Sequence, residues 1–204
     1  MDIFHGYKKF FEKYFKHKPE LYEKLLHGQS PETLFLACCD SRIDPAILTS
    51  AEPGQIFVVR NIANYVPSYI TRSLESEAMT AVEFAVCVLN VSSIIVLGHQ
   101  NCAGVEAIAS ESKPGAITSF PIVWQEQRAR LLEEIKDAYT AANAGMFEKA
   151  NLQLSCHDLL TYPFIQERVA QGRLTVNGWY FHLRTGMIEV YDTQTRTFSP
   201  LEAE

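Results

Sequence analysis

The chain has 204 residues, of which 47% are hydrophobic and 21% are charged, and its formal net charge is −6. This length and apolar content suffice for one domain with a buried core, while the acidic balance argues against a surface that binds nucleic acid. Five cysteines, an odd number scattered partly through apolar runs, do not indicate a disulfide framework and are typical of a reducing compartment.

The N-terminal segment is predicted to be helical over residues 4–17. One broad stripe of this helix is aromatic and consists of Phe4, Tyr7, Phe11, Tyr14 and Phe15. Because lysines occupy the opposite side, the helix either packs on protein or lies on a membrane surface, and aromatic residues at this spacing favour packing on protein. Lys and Glu interrupt the apolar residues, so we do not expect a signal peptide. A second short helix is predicted from Pro19 to Gly28.

Two apolar runs, Leu34–Ala37 and Ile94–Leu97, have the composition of buried parallel strands. The first is followed by Cys38-Cys39-Asp40-Ser41-Arg42, and the second by Gly98-His99-Gln100-Asn101-Cys102-Ala103-Gly104. Open α/β sheets build their sites beyond the carboxyl ends of such strands, so both stretches are expected at one edge of the sheet.

These two stretches contain the donor set of a catalytic zinc site. Zinc takes Cys sulfur and His nitrogen, and a catalytic site has three protein ligands and one open position. His99 and Cys102 form an H-x-x-C step, and the start of a helix favours Cys102 as a thiolate. Because side chains alternate along a strand, Cys38 and Asp40 share one face while Cys39 points the other way. We therefore take Cys38 as the third ligand and expect Cys39 to be buried among apolar groups.

Asp40 and Arg42 are the predicted catalytic pair. Arg42 is placed to hold the Asp40 carboxylate by paired hydrogen bonds, which keeps Asp40 ionised and aimed at water on the metal. The alternative is that the cysteines are buried packing residues or redox-active thiols. Each motif alone is a weak signal, but their joint occurrence after two buried strands favours one Zn²⁺ per chain.

The other elements are predicted from periodicity and turn residues. Arg60 and Asn61 are expected to close a strand at the same edge and to support the site without reacting. Cys156 and His157 point about 100° apart on a helix, which favours ordinary packing over metal binding. The predicted elements are a helix at 44–48, a strand at 55–59, a loop at 62–72, a helix from Ser73 or Ser76 to Asn90, helices at 121–139 and 141–160, a helix ending at Gly172, and a hairpin of 174–183 with 187–191.

The C-x-D-S-R and G-H-x-x-C stretches together resemble the beta class of carbonic anhydrases. Residues 57–64, 81–86 and 177–179 resemble segments of that family in the same order, so the resemblance extends from about Phe10 to Tyr191. It implies an α/β fold with a mostly parallel central β-sheet flanked by helices, as a single domain over residues 1–204. It also implies reversible hydration of carbon dioxide to bicarbonate and a proton by a zinc-bound hydroxide. Homodimers or homotetramers are implied as well, with residues 1–28 forming an N-terminal helical arm that packs on a neighbouring subunit.

The resemblance also implies substrate-binding residues. The G-Q-S-P run at Gln29 is typical of the plant-like, open-site branch, in which this glutamine hydrogen-bonds the substrate; Gln29 is otherwise an ordinary loop residue. Phe57 would line the apolar wall or simply pack in the sheet, Phe84 would face the pocket, and the backbone of Ala103 would meet the bound anion.

Three positions depart from the family pattern: Met79 lies where a glycine-rich start is usual, Phe84 where tyrosine is usual, and Ala103 where glycine is usual. Alanine at 103 would be strained if that position required a positive φ. These departures keep two alternatives open: a non-catalytic zinc-binding or bicarbonate-sensing homologue, and a zinc hydrolase of carbon disulfide or carbonyl sulfide.

Overall fold

The structure is a computed structural model that describes residues 2–70, 76–110 and 122–202, with residues 122 and 123 described by their backbone alone. Its strands are β1 Thr33–Cys38, β2 Ile56–Asn61, β3 Ser93–His99, β4 Thr175–Phe181, β5 Ile188–Asp192 and β6 Thr197–Pro200. Its helices are α1 Ile3–Phe11, α2 Pro19–Leu25, α3 Pro45–Thr49, α4 Glu77–Cys87, α5 Ala103–Ala109, α6 Ile122–Ile135, α7 Ala144–Leu159 and α8 Pro163–Ala170.

The strands form one six-stranded sheet in the order β2-β1-β3-β4-β5-β6. The first four strands are parallel, and β5 and β6 are added as antiparallel strands at one side. The α/β fold with a mostly parallel central sheet is therefore confirmed, as is the hairpin of β4 and β5. The sequence did not predict β6, a short edge strand in which Pro200 is tolerated because an edge residue has no obligatory hydrogen bond on its outer side.

The two central strands are buried on both faces, as their continuous apolar composition predicts. Leu34 and Ile94 belong to a cluster that also contains residues of α4 and α8, whereas Phe35 and Ile95 belong to a second cluster with residues of α5 and α6. Helices thus cover both sides of the sheet. This leaves the carboxyl edge of β1 and β3 as the place where polar side chains can gather.

Several predicted boundaries shift by a few residues. The predicted loop at 62–72 contains a short 3₁₀ turn at Ile62–Asn64, and α4 begins directly after Ser76, while Ser73 lies outside the described residues. Helix α6 ends at Ile135 because Lys136 has a left-handed φ of 55°. Cys156 is fully buried in the core, which agrees with the predicted packing role.

The N-terminal arm forms two helices, as predicted, with a π-helical turn over Glu12–Lys16 between them. The rings of Phe10, Tyr14 and Phe15 pack on Tyr22 of α2, so part of the aromatic stripe is used within the arm. By contrast, Phe4 at the start of the stripe is 82% exposed in the single chain. None of the described helices has the length and apolar character needed to cross a membrane.

A buried polar chain connects α6 and α7 to the turn after β2. The fully buried Asn151 donates from Nδ2 to the carbonyl of Ala63 at 2.8 Å and accepts at Oδ1 from Gln127 Nε2 at 2.9 Å. Behind Gln127, Arg130 makes a two-pronged ion pair with Asp158 at 2.7 and 2.9 Å. Ala63 has a left-handed φ of 63°, so Asn151 holds a turn that is costly to form in isolation.

The substitution Asn151→Ala removes both of these hydrogen bonds and leaves their partners buried. We expect the free energy of unfolding to fall by about 3 kcal/mol, because each unsatisfied buried polar group costs roughly 1–3 kcal/mol. Urea denaturation at a fixed protein concentration measures this change. The control is Gln171→Ala, which removes an exposed side chain beside α8 and should change stability by less than about 0.5 kcal/mol. Equal effects of the two substitutions would contradict the role of Asn151.

Candidate metal centre

The site lies where the chain changes direction across the sheet. Strand β1 pairs with β2 on one side and with β3 on the other, so their connections leave a crevice at the carboxyl ends of β1 and β3. Cys38 is the last residue of β1 and His99 is the last residue of β3. Because Ala37 is in register with Leu97, these two ends lie within one residue of the same height in the sheet.

The structure brings Cys38, His99 and Cys102 together. Cys102 directly precedes α5, and one ligand atom from each of the three residues lies within 4.8 Å of the others. The two sulfur atoms are 3.8 Å apart, and all three residues are at most 4% exposed. Two sulfur ligands, each about 2.3 Å from a tetrahedral zinc ion, would be separated by about 3.8 Å. The observed spacing therefore fits shared coordination and is too long for a disulfide.

Only one of the two imidazole nitrogens of His99 has a hydrogen-bond partner among the described residues. Nδ1 lies 3.0 Å from the carbonyl oxygen of Gln100, whereas the buried Nε2 has no hydrogen-bond partner among the described residues. A bond from Nδ1–H to a carbonyl fixes the tautomer that leaves a lone pair on Nε2. An unpartnered buried nitrogen facing two thiols is costly unless a cation binds there, so this donor set fits zinc.

The two thiols do not ionise independently. A hydrogen bond from Cys102 lowers the pKa of Cys38 to about 4, whereas the hydrogen bond to Cys38 together with burial raises the pKa of Cys102. The metal-free pair therefore retains one shared proton. A divalent cation at the same point would replace that proton and stabilise both thiolates.

Arg42 grips the carboxylate of Asp40 from two sides. Its Nε lies 2.9 Å from Oδ1 and its Nη2 lies 2.6 Å from Oδ2, and the Arg42 backbone N–H also donates to Oδ1. These hydrogen bonds hold the pKa of Asp40 well below its usual range. Asp40 Oδ2 is 3.8 Å from His99 Nε2, so an ionised carboxylate lies beside the three potential ligands.

Arg60 fixes the loop that carries this pair. Its guanidinium donates to the carbonyl oxygens of Cys38 at 3.1 Å, Asp40 at 2.9 Å and Ile43 at 2.8 Å. It also contacts the carboxylate of Asp44, which caps α3. Arg60 therefore has the supporting position that the sequence predicted for it.

The backbone after β3 is equally constrained. Asn101, not Ala103, has the left-handed φ of 56°, so the alanine at position 103 is not strained. Ala103 is exposed at the first position of α5. A Cβ atom on Gly104 would lie 2.8 Å from Ile62 Cγ2 and 3.0 Å from the Ala63 nitrogen, so glycine is needed for this close approach.

Sequence reasoning missed the buried carboxylate of Glu148 on α7. The Cys102 backbone N–H donates to its Oε1 at 3.0 Å, and the Tyr180 hydroxyl donates to its Oε2. Glu148 is only 4% exposed, so it secures the Cys102 backbone from behind. No motif marks this glutamate, because in the sequence it is an ordinary residue of a helix 46 positions away.

The predicted substrate residues Gln29, Phe57 and Phe84 are not gathered at the triad within one chain. Phe57 lies four residues before Asn61, the partner of Cys38 across the sheet, which places it about 13 Å back along β2. It packs on Phe84 of α4 with ring centroids 6.3 Å apart. Gln29 is exposed in the loop before β1, at the opposite edge of the sheet.

The prediction that Cys39 is buried was wrong, because this residue is exposed. Strand β1 ends at Cys38, and the Cys39 backbone N–H turns to donate to the carbonyl of Asn61 at 2.8 Å. The strict alternation of side chains applies only within a strand, and Cys39 lies just beyond it.

Known proteins of one family resemble this chain. The sequence model described as Carbonic anhydrase matches residues 33–188. A carbonic anhydrase of Helicobacter pylori is 32% identical over 99% of this chain and 95% of that protein. One from Pseudomonas aeruginosa is 34% identical, with 98% and 91% covered, and beta carbonic anhydrase 3 of Arabidopsis thaliana is 30% identical, with 94% and 76% covered.

Solved structures show the same similarity. The beta-carbonic anhydrase CcaA aligns with a TM-score of 0.84 and 29% identity over 99% of this chain and 92% of that chain. Two tetrameric beta-carbonic anhydrases from Sordaria macrospora provided a further match, with a TM-score of 0.75, 26% identity, and 93% and 97% covered. The family match over most of the chain and the shared fold lead to one conclusion: this chain belongs to the carbonic anhydrase family, in its beta class.

Proposed function

We propose that this chain catalyses the reversible hydration of carbon dioxide to bicarbonate and a proton, with one zinc ion per chain held by Cys38, His99 and Cys102. The observation that carries the proposal is the buried Cys-His-Cys group beside the Asp40–Arg42 ion pair. Membership of the carbonic anhydrase family supports the same reaction. Zinc bound at this position would act as a Lewis acid that makes water nucleophilic near neutral pH.

Asp40 is the residue proposed to handle the proton. Its Oδ2 faces the ligand group, and an ionised carboxylate there accepts a hydrogen bond from the attacking water and so directs a lone pair of that water toward carbon dioxide. Arg42 keeps Asp40 ionised and restrains its rotation by binding both carboxylate oxygens. Because Arg42 binds both oxygens of Asp40, this carboxylate would not serve as a metal ligand, and water would be able to reach a zinc ion held by Cys38, His99 and Cys102. This supports the open-site branch.

We further propose that a second copy of the chain completes the substrate pocket. An open cavity of about 520 Å³ is lined by Phe57, Thr80, Phe84 and neighbouring residues, and Phe84 is 43% exposed. An exposed aromatic cavity of this kind favours an interface, and the matched structures include tetramers. In a homodimer or homotetramer, Gln29, Phe57 and Phe84 of one copy would form the pocket wall at the metal centre of the other.

The substitution Cys102→Ser should abolish zinc binding and carbon dioxide hydration together, because a serine hydroxyl is a poor substitute for a thiolate ligand. Zinc content is measured by atomic emission and hydration by stopped flow. The control is Cys87→Ser, which replaces another free but exposed cysteine and should retain both properties. A fully active Cys102→Ser protein would remove Cys102 from the site.

The substitution Asp40→Asn should leave zinc content unchanged while hydration falls at least about 100-fold, because the amide cannot accept the proton of the attacking water in the same way. Glu133→Gln, an exposed position on α6, serves as the charge-matched control.

A zinc-loaded wild-type protein without hydration activity would instead indicate a non-catalytic homologue, and sulfide release from carbon disulfide would indicate the related hydrolase.

The substitution Phe84→Asp tests the shared pocket. We expect the oligomer to dissociate toward monomers and hydration to fall more than tenfold while each chain keeps its zinc, because a charge would be buried at the interface. Light scattering after gel filtration gives the mass, and Met187→Asp, at an exposed apolar position in the β4–β5 turn, is the control. An intact and fully active Phe84→Asp oligomer would refute the shared pocket.

A further inference from the structure

A second polar cleft opens beside the metal centre. It has a volume of about 440 Å³ and is lined by Arg42, Gln100, Asn101, Leu183 and Arg184. These residues follow β1, β3 and β4, three neighbouring strands of the parallel sheet, so the cleft lies on the same carboxyl edge as the Cys-His-Cys group. Arg42 belongs to both sites, because it binds Asp40 on one side and lines this cleft on the other.

The cleft contains hydrogen-bond donors that have no partner among the described residues. Arg42 donates from Nε and Nη2 to Asp40, and Nη2 also donates to the carbonyl of Asn101. Its Nη1 has no partner within the described part of the chain. The Arg184 backbone N–H donates to Gln100 Oε1 at 3.3 Å, which fixes the turn and leaves the Gln100 amide NH₂ available. The guanidinium of Arg184 likewise has no hydrogen bond or ion pair to any described residue.

The charge of this cleft is not balanced by its own lining. Its walls carry two guanidinium groups and no carboxylate; within the described parts of the chain, Arg42 is paired with Asp40 and Arg184 is not paired. An adjacent cleft that shares Gln100 provides the contrast. There, Lys149 of the lining has a carboxylate partner, because its Nζ lies 2.6 Å from Glu189 Oε2, which His182 Nε2 also contacts at 2.7 Å.

We propose that Arg42, Gln100 and Arg184 form a docking site for a small oxyanion at the mouth of the metal centre. Guanidinium and amide donors around an open cleft match the planar oxygens of carbonate-like anions and the oxygens of phosphate. In a chain of net charge −6, this local excess of positive charge is what would draw an anion to this edge. If the proposed reaction holds, the oxyanion is the bicarbonate product, which the cleft receives after it leaves the metal centre.

Direct binding of inorganic phosphate tests the cleft independently of turnover. Isothermal titration of the zinc-loaded protein should show binding that weakens about tenfold in Arg184→Gln and less in Arg184→Lys, which keeps the charge but loses the planar fork. The control is Arg196→Gln, which removes an exposed arginine from the turn between β5 and β6 at the opposite edge of the sheet. Equal phosphate affinity of the Arg184→Gln and Arg196→Gln proteins would overturn the proposal. Phosphate binding that is lost in Cys102→Ser but unchanged in Arg184→Gln would also overturn it.

Bicarbonate identifies the source of the anion. We expect the constant for product inhibition of carbon dioxide hydration by bicarbonate to rise about tenfold in Arg184→Gln and to stay unchanged in Arg196→Gln. If phosphate binding depends on Arg184 but bicarbonate inhibition does not, the assignment to the product is refuted. If the wild-type protein shows no hydration, the proposed function fails, while the phosphate titration still decides whether the oxyanion site exists.

Discussion

The parallel pairing of β1 with β3 is the constraint on which the metal centre depends. The two thiols lie 64 residues apart in sequence, yet their sulfur atoms are 3.8 Å apart because β1 and β3 end side by side within one residue of the same height and Cys102 follows β3 closely. Moving β3 by one residue relative to β1 would shift His99 by about 3.3 Å and turn its side chain to the other face. The buried, apolar character of both strands specifies that register, so core packing and ligand geometry are set by the same residues.

The loops that leave these strands are held by buried or partly buried polar side chains. Arg60 binds three carbonyl groups in the loop after β1, Glu148 holds the Cys102 backbone, and Asn151 holds the Ala63 carbonyl where the chain passes Gly104. Ligand side chains are useful to a metal only if their backbone stays in place while the cation binds and reacts. These three side chains therefore help to keep the carboxyl edge of the sheet rigid.

A feature of the structure could be predicted from the sequence when it depended on residues that are neighbours along the chain. The two strand runs and the motifs beyond them predicted the Cys-His-Cys group, because strand composition and ligand type are properties of neighbouring residues. The burial of Cys39 was predicted wrongly, since no local pattern shows that β1 ends at Cys38, one residue before Cys39. Glu148 and Asn151 were missed because they reach the site from a helix whose sequence looks like ordinary helix packing. The surface of Phe57 and Phe84 lies away from the triad of its own chain, so its proposed role in the pocket depends on a second copy and not on any pattern within one sequence.

The arginines at this edge differ in what neutralises them. The guanidinium of Arg60 binds carbonyl oxygens and the carboxylate that caps α3, and that of Arg42 binds the carboxylate of Asp40. A divalent zinc ion would cancel the charge of two thiolates, so the metal with its ligands and the Asp40–Arg42 pair would each be neutral. Such a site suits an uncharged substrate but offers little to retain an anion once it forms. Among the described residues, Arg184 is then the charge in the cleft that remains unbalanced, and its field would act on an anion that the neutral centre releases.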